Sequence, residues 1–182
     1  MKIHIKNMVC VRCERAVQRI FDQHHLSVTQ LTLGLVDIAV APDSTQLTAL
    51  EADLKAEGFA LVQSPEAQLV NRVKSFVITY LDQRDTRIFS EALAAHLHAD
   101  YGHLSRQFSA AEGRTLEHYL ILQRVERSKE LLQMKELTIS EIAHQLGYRS
   151  NSHFSAQFKK HTHQTPTQYR KTGGGRQSLD QL

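Results

Sequence analysis

Strand-like alternation of polar and apolar residues is confined to the chain before Ser64-Pro65, and from Glu66 onward the apolar residues recur at helical spacing. That switch predicts units of different class: a sheet-containing one over residues 1–63, an all-helical one over 64–172, and a polar tail over 173–182 expected to be flexible. With 182 residues, 41% of them apolar, the chain has material for two small cores. Ser64-Pro65 is the only linker-like punctuation between them.

In the first unit, residues 2–6 place Ile3 and Ile5 on one face of a half-buried strand, and Ala16, Val17, Ile20 and Phe21 form a helical stripe that ends near His24 and His25. Residues 28–40 read as two strands meeting at Leu33-Gly34. Pro42-Asp43-Ser44 turns into a helix with Leu47, Leu50 and Leu54 inward, Gly58 stops it, and 59–62 is a last strand. The order βαββαβ predicts a ferredoxin-like arrangement, with two helices on one face of an antiparallel sheet. The fold class expected for the whole chain is α+β.

The second unit carries a weak internal repeat of about 49 residues. In SEALAAHLHADYGHLSRQF, residues 90–108, a short helix ends near Leu97, and Asp100 can cap a second helix with Leu104 and Phe108 inward. In TISEIAHQLGYRSNSHFSAQF, residues 138–158, Thr138 and Glu141 fit a capping box, Gly147 suits a left-handed turn, and Phe154 and Phe158 face the core. Each is a helix-turn-helix in outline. Between them residues 114–133 read as one helix about 28 Å long at ~1.5 Å per residue.

Net charge is only +3, but it is unevenly spread. Residues 1–63 hold six Lys and Arg against seven Asp and Glu, whereas 64–182 hold sixteen against twelve. Residues 142–179 contain no acid, yet Arg149, Lys159, Lys160, Arg170, Lys171 and Arg176 fall there. A basic, acid-free segment suits a polyanion partner and, on charge alone, equally suits a solvated face. No paired carboxylates, Gly-rich phosphate loop, HExxH or Ser-His constellation appears, so an enzymatic reading has no support. The absence of a leader pattern or a long apolar run leads to the expectation of a cytoplasmic protein without membrane contact.

Cys10 and Cys13 are the only cysteines, so a zinc site of four thiolates cannot be built within one chain. The pair can be a two-thiolate metal site, a thiol-redox switch, or a loop used only for contacts. A CxxC entering a helix lets both sulfurs point to one place, and Lys6, Arg12 and Arg15 nearby are expected to favour thiolate. The eleven histidines are scattered. His24-His25, His96 with His98, and His161 with His163 are read as solvated or turn residues rather than as ligand sets.

Residues 90–170 resemble the AraC family DNA-binding domain, through LSRQF (104–108), Gly113, Tyr119, RVERSKELL (124–132), TISEIAHQLGY (138–148), HFSAQFKK (153–160) and TPTQYR (165–170). The resemblance implies an all-α domain with two helix-turn-helix motifs, laying two recognition helices into successive major-groove segments. Base contacts are then expected at Tyr101, Gly102, Ser105 and Arg106 in the first recognition helix, and at Asn151, Ser152, His153 and Gln157 in the second. Arg106 suits guanine and Asn151 adenine. Arg149, Lys159, Lys160 and Arg170 are expected to anchor phosphate. Two positions depart from the family: Ala156 replaces its usual Arg, and His163 replaces its late Gly at a left-handed turn.

Residues 1–63 resemble the heavy-metal-associated domain of copper chaperones and metal-transporting ATPases, through Met8, Cys10 and Cys13 (MxCxxC) and Gly58-Phe59, with Asn7 where that family has Gly. The resemblance implies a soft ion on Cys10 and Cys13: Cu(I) first, with Zn(II), Cd(II) or Hg(II) less favoured. The expected function is a DNA-binding transcription regulator responding to that metal. Its alternatives are a DNA-tethered metal chaperone or protein-interaction module, and a thiol-redox sensor. Expected partners are double-stranded DNA and the soft metal ion, with a homodimer allowed.

Overall fold

A computed structural model describes residues 1–83 and 88–173; the tail from 174 to 182 lies outside the described residues. The chain divides into two compact units, Met1–Phe76 and Val77–Leu182.

In the first unit the elements are β1 (Lys2–Lys6), α1 (Val11–Gln23), β2 (Val28–Thr32), β3 (Leu35–Ile38), α2 (Ser44–Ala56) and β4 (Ala60–Val62). The sheet runs β2-β3-β1-β4 and every neighbouring pair is antiparallel. Because side chains alternate across a strand, Ile3 and Ile5 of β1 and Val36 and Ile38 of β3 share one face. They bury it in a common cluster with Val17, Ile20 and Phe21 of α1 and Leu50 and Leu54 of α2. Asp43 and Gln46 close a reciprocal capping box at the start of α2, which fixes where the chain turns back over the sheet.

Ser64-Pro65, linker-like in the sequence, is a helix start. Helix α3 (Pro65–Asp82) is capped by Ser64, whose Oγ accepts from the Ala67 amide at 3.2 Å, and proline at the first helical position forfeits no intrahelical bond. The division between units falls inside α3, after Phe76. Buried Asn71 on its early turns donates through Nδ2 to the carbonyls of Ile5 and Gly34, each at 3.1 Å. Gly34, in the β2–β3 turn at φ +79°, has no room for more: a Cβ there would stand 2.4 Å from Ser75 Oγ and 2.8 Å from Asn71 Nδ2. Gly34→Ala combines left-handed strain with displacement of these side chains. It is expected to cost about 2 kcal/mol, read as a lower urea midpoint at unchanged slope.

The end of α3 and six further helices make the second unit: α4 (Phe89–Leu97), α5 (Tyr101–Glu112), α6 (Leu116–Met134), α7 (Ile139–Gln145), α8 (Asn151–Thr162) and α9 (Pro166–Thr172). The repeat is in register at 50 residues from each second helix onward. Asp100 and Ser150 cap α5 and α8, accepting from the His103 and His153 amides. Leu104 and Phe108 match Phe154 and Phe158, all fully buried. Gly113 (φ 67°) and His163 (φ 60°) take the left-handed position after each helix, and Thr115 and Thr165 cap the next. Tyr119 and Tyr169 then pack on the preceding Phe, with ring centroids 5.2 Å and 5.4 Å apart. Earlier in each motif the spacing is 49, at buried Leu97 and Leu146 and at the left-handed His98 and Gly147. One residue separates His98 from its cap, and two separate Gly147 from Ser150.

Helix α6 carries polar residues inward: Gln123, Glu126, Ser128 and Lys129 are buried. Lys129 pairs with Glu126 one turn away, while Arg127 pairs with Glu130 and, at 2.9 Å, with Asp82 of α3. Glu126, Arg127, Lys129 and Glu130 of RVERSKELL are therefore held in pairs that offset their desolvation, while the Arg124 guanidinium lies over the Tyr148 ring.

Candidate nucleic-acid interface and thiolate pair

Cys10 is the N-cap of α1 and is exposed; Cys13, in the first turn, is half-buried. Their Sγ atoms lie 3.6 Å apart, and the Cys13 amide donates to the Cys10 carbonyl at 2.9 Å. The loop before them is fixed by Asn7, which adopts φ 73° and donates through Nδ2 to the Gly58 carbonyl at 2.8 Å. Asn is among the few side chains that tolerate this left-handed conformation, which accounts for its standing in a glycine's place. Met8 and Phe59 are buried beneath. The Cys13 thiol is pushed above its ordinary pKa, chiefly by burial; backbone bonds at Val9 and Cys10 oppose the rise and the Cys10 thiol adds to it. Thus the expected thiolate-favouring effect of Lys6, Arg12 and Arg15 does not prevail at Cys13. No group of three His, Cys, Asp or Glu side chains able to hold a metal occurs among the described residues. The donor set is two sulfurs.

The histidines fall into structural places. His24 is half-buried rather than solvated, its Nε2 2.8 Å from Asp53 Oδ2 of α2. His98 and His163 end helices in left-handed turns, and the ring of His161 lies 6.2 Å from that of His118.

On α5, His103, Arg106 and Ala110 are exposed at spacings of three and four, so they form one stripe. The Arg106 guanidinium lies over Gly102, where a Cβ would stand 3.4 Å from Nη1. Tyr101 is half-buried, and its hydroxyl donates to Glu117 Oε1 of α6 at 2.7 Å; burial and that carboxylate push its pKa up. Gly102 and Ser105 are half-exposed. On α8 the corresponding stripe is Ser152, His153, Ala156, Lys159 and Lys160, all exposed, with exposed Arg149 just before the helix. Asn151 is exposed, but its Nδ2 donates to Ser140 Oγ of α7. Gln157 is half-buried, and its Oε1 is enclosed with no hydrogen-bond partner among the described residues. Arg170, read from sequence as a phosphate anchor, is half-buried and donates through Nη2 to the Leu137 carbonyl at 2.7 Å, tying α9 to the α6–α7 turn. Tyr148 closes that motif from within, its hydroxyl pushed up to about 12 by burial.

A helix-turn-helix domain family matches residues 93–172. The C-terminal domain of AraT, a response regulator from Geobacillus stearothermophilus, is 35% identical with a TM-score of 0.51, over 60% of this chain and 86% of that one. The chain belongs to the AraC-type helix-turn-helix family. Among curated relatives, an HTH-type transcriptional regulator of Staphylococcus aureus is 43% identical over 68 residues, 37% of this chain and 9% of its own length. Another, from Pseudoalteromonas carrageenovora, is 27% identical over 113 residues, 60% of this chain and 66% of that protein. The chain thus spans less than a tenth of the staphylococcal relative. These matches concern the AraC-type domain.

Within this AraC-type domain the structure brings Gly102 and Arg106 together on one helix, and Ser152, His153, Lys159 and Lys160 on the other. Tyr101, Gln157 and Arg170 are turned wholly or partly into the domain. His103 is not among the contacts expected from sequence; its signal is the repeat, since it stands 50 residues before His153, and both are exposed.

No helix of the described residues is long and apolar enough to cross a membrane.

Proposed function

We propose that the chain is a sequence-specific DNA-binding transcription regulator. In this reading its first unit is a ferredoxin-like, heavy-metal-associated module that holds a soft metal ion on Cys10 and Cys13. The DNA-binding part rests on one observation: two helices at equivalent stations of a 50-residue repeat each expose a stripe of polar and basic side chains. Such a stripe is what a major groove requires, with planar donors for base edges and cations for phosphate.

The metal reading rests on the donor set. Metal–sulfur bonds of about 2.3 Å can span sulfurs up to about 4.6 Å apart, so a pair at 3.6 Å is within reach of one ion. Two sulfurs without a third ligand among the described residues suit Cu(I) better than Zn(II), which takes four. Since a ligating thiol must lose its proton, burial of Cys13 makes capture compete with protons and strengthen as pH rises.

The test is equilibrium affinity of the reduced chain for a selected duplex, with and without one equivalent of Cu(I). A change of about fivefold or more, the lower end of ordinary coupling energies, is expected. Equal affinities would favour a DNA-tethered metal chaperone or interaction module. A shift reproduced by a reversible Cys10–Cys13 disulfide without metal would favour a thiol-redox sensor.

A further inference from the structure

The repeat allows the two recognition helices to be compared station by station. Equivalence does not depend on sequence alone: caps, left-handed turns, buried apolar pairs and closing tyrosines coincide at a spacing of 50. At the centre of the exposed stripe the first helix has Arg106 and the second Ala156. One turn later the order reverses, with Ser109 and Ala110 in the first and Lys159 and Lys160 in the second. Ser109 is also satisfied locally, its Oγ donating to the Ser105 carbonyl at 2.8 Å.

These differences have distinct chemical consequences. A guanidinium pairs in bidentate fashion with guanine O6 and N7, whereas a methyl group offers at most an apolar contact to thymine. The remaining amides on the second helix are partly committed, Asn151 to Ser140 and Gln157 to the interior. Lysine is a compact point charge suited to phosphate, and the segment 142–179 has no acid to neutralise it.

We infer that the helices divide their work: α5 reads base sequence through Arg106, while α8 grips phosphate through Lys159 and Lys160 and tolerates sequence. The preferred duplex then has one strongly specified major-groove segment containing guanine, beside one weakly specified segment. This rests on the proposed DNA-binding function and adds to it which half carries specificity.

Binding-site selection with the full chain on randomised duplex DNA tests it, with salt titrations of the selected site. Wild type is expected to return one conserved segment and one degenerate one. Arg106→Lys keeps the charge but not the planar fork, so it should flatten the conserved segment while preserving the salt slope. Ala156→Arg should sharpen the degenerate segment and bring guanine into it. The double variant Lys159→Ala/Lys160→Ala should weaken all sequences alike and reduce the salt slope by about 2, leaving the preference intact. Two equally conserved segments in wild type, or a consensus unchanged by Arg106→Lys, would overturn the division of labour while leaving DNA binding in place. Absence of duplex binding by wild type at low salt would remove the DNA-binding reading and this inference with it.

Discussion

Serine in place of either Cys10 or Cys13 is expected to abolish Cu(I) retention by the reduced chain, with no intermediate affinity. In the proposed site a soft ion would be held by two thiolates, and a hydroxyl in place of one would leave a single sulfur beside a hard, neutral oxygen. Among the described residues no group of three His, Cys, Asp or Glu side chains offers an alternative site. The substitutions should spare the fold: Cys10 is exposed, Cys13 is only half-buried, and the cap position welcomes serine. Competition against a Cu(I) chelator under anaerobic conditions reads the effect, beside the same titration with Zn(II), which should bind more weakly. Retention of Cu(I) by the double serine variant would place the metal elsewhere. Failure of wild type to hold any soft metal would favour a loop used only for contacts.

Phe158→Ala is expected to cost about 3–5 kcal/mol, a large share of the ~5–15 kcal/mol that holds a domain together. The ring is fully buried and stands between two others, 5.8 Å from Phe154 and 5.4 Å from Tyr169. Its removal therefore undoes the seat of the second recognition helix and of α9 together. Phe108→Ala should act similarly in the first motif, where Phe108 is fully buried beside Tyr119. Urea unfolding followed by helical circular dichroism measures both. A loss below about 1 kcal/mol would be that of a surface position and would contradict the packing described.

Local signals in the sequence carried much of this arrangement. The Thr138–Glu141 capping box forms as its spacing suggests, with hydrogen bonds of 2.7 Å and 3.2 Å, and Asp100 caps α5 through the His103 amide. Leu104, Phe108, Phe154 and Phe158 lie inward as helical spacing requires. Periodicity, however, reports which face a residue occupies and not what it meets there. Tyr101 is drawn to Glu117, Arg170 to the Leu137 carbonyl, and Asn71 to Ile5 and Gly34, all partners distant in sequence. Serine followed by proline reads as a break in any linear scan, yet the same pair is a good helix start, and here it begins α3. For Cys13 the sequence displays neighbouring cations but not burial, and burial is the larger influence on its thiol.

Affinity of the full chain for duplex DNA across a range of salt concentrations tests the DNA-binding reading most directly. In the proposed interface, exposed Arg149, Lys159 and Lys160 would each meet phosphate, so log affinity should fall linearly with log salt, with a slope of about −0.9 for each phosphate neutralised. The expected result is tight binding at low salt that weakens steeply, with a slope of about −3 if those three cations each neutralise one phosphate. No measurable affinity for any duplex at low salt, or an affinity indifferent to salt, would contradict it.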